Sequence, residues 1–161
     1  MSAYFNIPEQ TKVVEAITPQ AGASIAGDWV SLKNAAACYI AVHINQAAVN
    51  TVAITVQQAT NVSGGSAKVI TVATPIRANE DCAATDTLVA QTAAVGFTTS
   101  AAQKQKIVII RVDAADLDMA NGFDCIKVLT AASDATNITS ALYFLTDIRY
   151  AQATPPSAIV D

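Results

Sequence analysis

Few side chains in this chain can do chemistry, and they are spread thinly. His43 is the single histidine, so any Ser/His/Asp or Cys/His arrangement must use it. It stands between Val42 and Ile44 in an alternating run, on the polar side, where a surface or interface histidine is the expected reading. No cysteine or second histidine neighbours it in sequence, so a zinc site has no support. Asp113, Asp116, Asp118, Asn121 and Asp124 form the densest acidic group. A hard cation wants several oxygen ligands, which raises calcium as a candidate for Asp113, Asp116, Asp118 and Asp124. The spacing is not that of an EF-hand loop and no Glu closes it, and Asp or Asn before Gly also makes ordinary turns. The turn is the expectation. Cys38, Cys82 and Cys125 are odd in number and share no C-x-x-C spacing. They read as reduced, structural thiols of a chain made in a reducing cytoplasm. Asn61-Val62-Ser63 and Asn137-Ile138-Thr139 match a glycosylation sequon, but nothing marks the chain for secretion, so they read as loop residues. No phosphate-cradling loop or nucleophile elbow is present, and there are Asp and Glu enough for a paired-carboxylate glycosidase, but their spacing gives no support for one. No catalytic residue, cofactor or metal ligand is assigned, and the chain is not expected to be an enzyme.

The rest of the sequence points to assembly. Of 161 residues, 33 are Ala and 17 are Thr. Charged residues make up 14%, against about 25% in ordinary soluble domains. A chain so poor in charge is expected to bury surface against copies of itself or a larger lattice. Net charge is −4, and the nine basic residues stand singly, so no basic stripe could follow a nucleic-acid backbone. The longest apolar run, 35–42, is far short of the roughly 20 residues a membrane helix needs. No nucleic-acid or membrane partner is expected.

Period-two patterning dominates. In 38–45, Cys38, Ile40, Val42 and Ile44 fall on one face, with Tyr39, His43 and Asn45 on the other. The run 51–58 alternates as cleanly, and the short 45–50 connection predicts that the two pair as a hairpin. Further strands are expected at 28–32, 68–73, 87–92, 97–99, 106–113, 123–130 and 141–150. The 106–113 run is apolar on both faces, as a central strand would be. Residues 76–86 read as loop, 116–122 as a turn or one short helical turn and 133–137 as a loop. Small Ala residues such as Ala41 and Ala53 point away from the core, which suits close contact between sheets or subunits. The fold class is therefore all-β: an antiparallel β-sandwich, jelly-roll-like, of about eight or nine short strands. One domain is expected over 1–161, with extended arms at 1–10 and 152–161. The arms carry the apolar anchors Tyr4, Phe5, Ile7, Ile159 and Val160, and one of them is expected to reach a neighbouring subunit.

Several stretches, in order, carry a resemblance. They are 27–34 (GDWVSLKN), 56–64 (VQQATNVSG), 110–118 (IRVDAADLD), 124–128 (DCIKV) and 142–150 (LYFLTDIRY). From about residue 27 to 150 the chain resembles small proteins encoded in the structural-gene modules of tailed bacteriophages and prophages, near the major capsid protein. The resemblance implies a virion protein on the capsid surface, a decoration (cement) protein. Its expected partners are the major capsid protein and itself, as a homo-oligomer, expected to be a trimer. It carries over no functional residues. A tail-tube, head–tail connector or fibre-base protein is the alternative. A carbohydrate-binding or adhesin sandwich is another, and it would need an aromatic platform from Trp29 and Tyr39.

Overall fold

The computed structural model describes residues 6–22, 24–149 and 155–160. A four-residue helix, α1 (Ile7–Gln10), leads into twelve strands. They are β1 (Lys12–Ala21), β2 (Ile25–Ala26), β3 (Val30–Ser31), β4 (Ala35–Asn45), β5 (Ala53–Ala59), β6 (Lys68–Val69), β7 (Ile76–Asn79), β8 (Val89–Ala90), β9 (Gly96–Thr98), β10 (Gln105–Asp113), β11 (Cys125–Thr130) and β12 (Ile138–Ile148). The first sheet has the order β1-β12-β4-β10-β7-β8. The second runs β2-β11-β5-β6, with β3 also paired to β11 and β9 to β5. Both are antiparallel, and they pack as a sandwich around one apolar core. Among the described residues no helix is long and apolar enough to cross a membrane.

The expected hairpin of 38–45 with 51–58 does not form. β4 lies in the first sheet between β12 and β10, and β5 lies in the second beside β11. Residues 46–52 cross from one sheet to the other. Both strands alternate because each lines the same core from opposite sides, and period two alone does not tell in-plane pairing from facing across a core. The strand number is also corrected, from eight or nine to twelve. β1, β2 and β7 are not among the expected strands, whereas the 68–73 and 87–92 runs shrink to two-residue strands. β10 is central, between β4 and β7, as its two apolar faces imply.

Tyr143 ties the sheets together. It points from β12 into the core, fully buried. Its hydroxyl donates to the Asp28 carbonyl at 3.0 Å and accepts from the Val128 N–H at 2.8 Å. The bond lies where the strand opposite β11 is interrupted between β2 and β3, so it fills a gap in the ladder. Burial pushes its phenol strongly upward from the ordinary tyrosine value. At one end of the core, buried Lys106 donates to the Ser100 carbonyl at 2.7 Å and hydroxyl at 3.0 Å. Burial lowers its pKa, and the Glu80 charge opposes that shift.

Of the expected arms, residues 1–5, 150–154 and 161 lie outside the described residues, Tyr4 and Phe5 among them. Residues 6–10 carry the short helix α1. Residues 155–160 lie against the chain's own sandwich. The Ala158 carbonyl accepts from Ser31 N–H at 2.8 Å, and Ala158 joins the core. Ile159 and Val160 remain exposed.

Candidate functional site

The residues singled out for chemistry are not drawn together. His43 is exposed on the outer face of the first sheet, opposite Ser140 on β12 and Ile107 on β10. No hydrogen bond joins it to Ser140 among the described residues. Asp113 is gripped by Arg111, with Oδ1 at 2.8 Å from Nη2 and 2.9 Å from Nε. Asp118 pairs with Lys68 and accepts from Asn121 Nδ2 at 2.8 Å. The hydrogen-bonded Lys68 ammonium, then Asn121, holds its carboxyl below the usual range. Asp124 accepts from Cys125 Sγ at 3.2 Å. Among the described residues no group of three His, Cys, Asp or Glu is placed to hold a metal ion. The segment makes two 3₁₀ turns, Ala114–Asp116 and Met119–Asn121, closed by Gly122 at φ +77°. A left-handed residue is needed there and glycine supplies it without steric cost.

The other candidates are likewise structural. Cys38, Cys82 and Cys125 form no disulfide among the described residues, and burial raises the Cys38 pKa strongly. Asn61 Oδ1 accepts from the N–H groups of Ser63 and Gly65, both at 3.0 Å, and so shapes its own turn. Asn137 is fully buried. Its amide donates to the Asn50 carbonyl and Ser133 Oγ, both at 2.9 Å, and its oxygen accepts from Ala48 N–H at 2.8 Å. It bolts the 46–52 crossing to the loop before β12, and its nitrogen is closed to modification in the folded chain. Trp29 lies in the connection between β2 and β3 beside the second sheet, and Tyr39 on β4 of the first. Trp29 lies 4.6 Å beneath Lys127 Nζ on the second sheet, whereas Tyr39 sits on the outer face of the first. They form no common platform.

What the fold does assemble is an apolar outer face on the first sheet. Strand pairing places side chains from four strands in rows across it. One row runs Val13 on β1, Phe144 on β12, Tyr39 on β4 and Arg111 on β10. The next runs Glu15, Leu142, Ala41, Ile109 and, on β7, Arg77. A third holds Ser140, His43 and Ile107. Val13 and Leu142 are each 42% exposed and Tyr39 is 37% exposed. Phe144, Ala41, Ile107 and Ile109 are half-buried. Shallow hollows lie between them, one lined by Ala41, His43, Ile107, Leu142 and Phe144, the other by Ile7, Tyr39 and Phe144. A contiguous apolar area of this kind, rimmed by charge, marks a contact surface.

The sequence pattern alone exposes half of this face: Tyr39, Ala41 and His43 fall opposite the core residues of β4. Leu142, Phe144, Val13, Ile107 and Ile109 are not singled out by it. The signal for them is that β10 and β12 are apolar on both sides, which a strand with one wet face has no reason to be. Comparison with protein-family models, with curated proteins and with solved structures finds no match.

Proposed function

We propose that the protein is a structural component of a tailed-phage virion, a capsid decoration (cement) protein. The observation that carries the reading is the apolar outer face of the first sheet. A side of a sandwich built from Leu, Ile, Phe, Tyr and Ala is stable in water only at a cost, and burial against another protein surface recovers roughly 25 cal/mol per Å². Low charge over the whole chain and the resemblance to proteins encoded beside the major capsid protein support the same reading. The partners are the major capsid protein and further copies of this chain, and the place of action is the capsid surface. The strand wiring, with successive strands crossing between sheets, is read as jelly-roll-like. The protein acts as a clamp: area buried across capsomer junctions is lost when the shell opens, so binding favours the intact lattice. Each site contributes RT ln(1 + [L]/Kd), about 2.7 kcal/mol at a hundredfold excess over Kd.

Particles made without the protein test this. They are expected to assemble and then to release DNA at a lower temperature, with resistance restored by added protein at a fixed number of copies per shell. Particles that are equally heat-resistant but fail to join tails would move the assignment to a connector or tail protein.

A further inference from the structure

We propose that the outer face of the first sheet is occupied by a second copy of the same chain, related by a twofold axis parallel to β4. The argument rests on the row Glu15, Leu142, Ala41, Ile109, Arg77, which crosses five strands from β1 to β7. It is acidic at one end, basic at the other and apolar between. Glu15 and Arg77 are both exposed, and neither forms an ion pair among the described residues. Ala41, the smallest member, lies in the middle, on the central strand of the five.

A twofold axis parallel to the strands and passing over Ala41 turns this row onto itself in reverse. Ala41 then faces Ala41, Leu142 faces Ile109, and Glu15 faces Arg77 at both ends. Two opposite-charge contacts form, and the small central residue lets the sheets approach to the usual spacing of about 10 Å. In the adjoining row the same operation sets Phe144 beneath Arg111, a cation–π arrangement. An axis perpendicular to the strands would instead stack Glu15 on Glu15 and Arg77 on Arg77. The patch is thus self-complementary in one orientation, which is what an isologous contact requires. Four inter-strand spacings and six residues of strand give on the order of 400 Å² of sheet per copy. That is about half of the 800 Å² a standard interface buries on each side, so the pair is weak in solution and strengthened where copies are held side by side on a lattice. The inference rests on the reading of this face as a contact surface and names its occupant. A threefold assembly would have to be built from other surfaces.

The full-length chain is measured by sedimentation equilibrium from about 10 μM to about 1 mM, a range that spans weak interfaces. The weight-average mass is expected to climb from 16.6 kDa toward twice that value. Leu142→Glu is expected to hold it at the monomer. Glu15→Arg and Arg77→Glu are each expected to abolish association alone, since each sets like charges opposite one another at both ends. An equimolar mixture of these two variants is expected to recover the pair, because each end of the mixed pair again sets one acidic side chain against one basic one. Circular dichroism confirms that each variant is folded, and all three positions are exposed. A wild-type chain that stays monomeric at about 1 mM, a mass that goes to a trimer, or single variants that associate as well as the wild type would overturn the proposal. Add-back to particles separates the two readings. Shells protected by a chain that stays monomeric keep the decoration role and refute the twofold pair. A pair that forms and leaves shells unprotected does the reverse.

Discussion

Around the second sheet the large rings lie beneath cations. Lys127 Nζ sits 4.6 Å over Trp29, and Lys68 Nζ sits 4.1 Å over Phe123. Of the remaining outward positions of β5 and β11, Thr55 and Gln57 are polar and Ala53 and Leu129 apolar. On the first sheet the equivalent positions are Leu142, Phe144, Tyr39, Ala41, Ile107 and Ile109, and among the described residues only the Tyr39 ring has a cation over it, Arg111 at 5.9 Å. One sandwich therefore carries a finished side and an unfinished one. The difference fits the proposed contact role of the first sheet, whose outward residues are largely apolar and uncovered by cations. The same strands also carry the core on their inner faces, so the contact surface is stiffened by the core beneath it.

Substitutions on alternate residues of the same strands separate these roles. The largest effect is expected inside. Ile44→Ala removes a fully buried side chain of β4 and should cost about 2–5 kcal/mol of stability in chemical denaturation. The neighbouring outward His43→Ala should move it by no more than about 0.5 kcal/mol. Equal losses would mean that the outer face is as buried as the core. Tyr143→Phe comes next. It leaves the Val128 N–H and the Asp28 carbonyl without their partner and should cost about 1–3 kcal/mol, read as a lowered melting temperature with the fold retained. Lys127→Ala uncovers Trp29 and should cost about 0.5–1 kcal/mol, with a change in tryptophan fluorescence and none in association. A gain in self-association would show that the second face is kept apart by that cation alone.

The smallest effect concerns acid. Lys68 holds Asp118 below its ordinary value of 3.8, so the native carboxyl takes up a proton less readily than the unfolded one. Its contribution is therefore complete above about pH 4 and fades as pH falls through the native value. Asp118→Asn should lower stability slightly at neutral pH and converge on the wild type as pH falls through the native value, which flattens the acid limb of the curve. A loss of the same size at every pH would contradict the pairing.

The individual strands were legible wherever alternation was clean. β4 and β5 stand out because their inward residues are large and their outward ones differ in kind, and β10 because it is β-branched and apolar on both faces. β1 hides its period: its register against β12 slips between Glu15 and Ile17 and again before Gln20, and Pro19 lies within it. β7 reads as loop because Asn79 looks polar, yet its amide donates to the Thr85 carbonyl at 2.6 Å and its oxygen accepts from Asp81 N–H at 3.0 Å, which allows its burial. The contact face was legible only in part for a different reason. Leu142 lies beside Ala41, about a hundred positions along the chain, through a pairing that no local pattern encodes.

That pairing also governs how the molecule is made. β12 stands between β1 and β4, so the first sheet has a vacant slot until the end of the chain has been synthesised. A nascent chain holding only β1 to β11 has the facing edges of β1 and β4 unpaired, beside the apolar residues of both faces. Sheets closed by such distant segments fold slowly, and their open edges invite association with other chains. A message cut short before Ile138 should thus give aggregate rather than a smaller soluble sandwich.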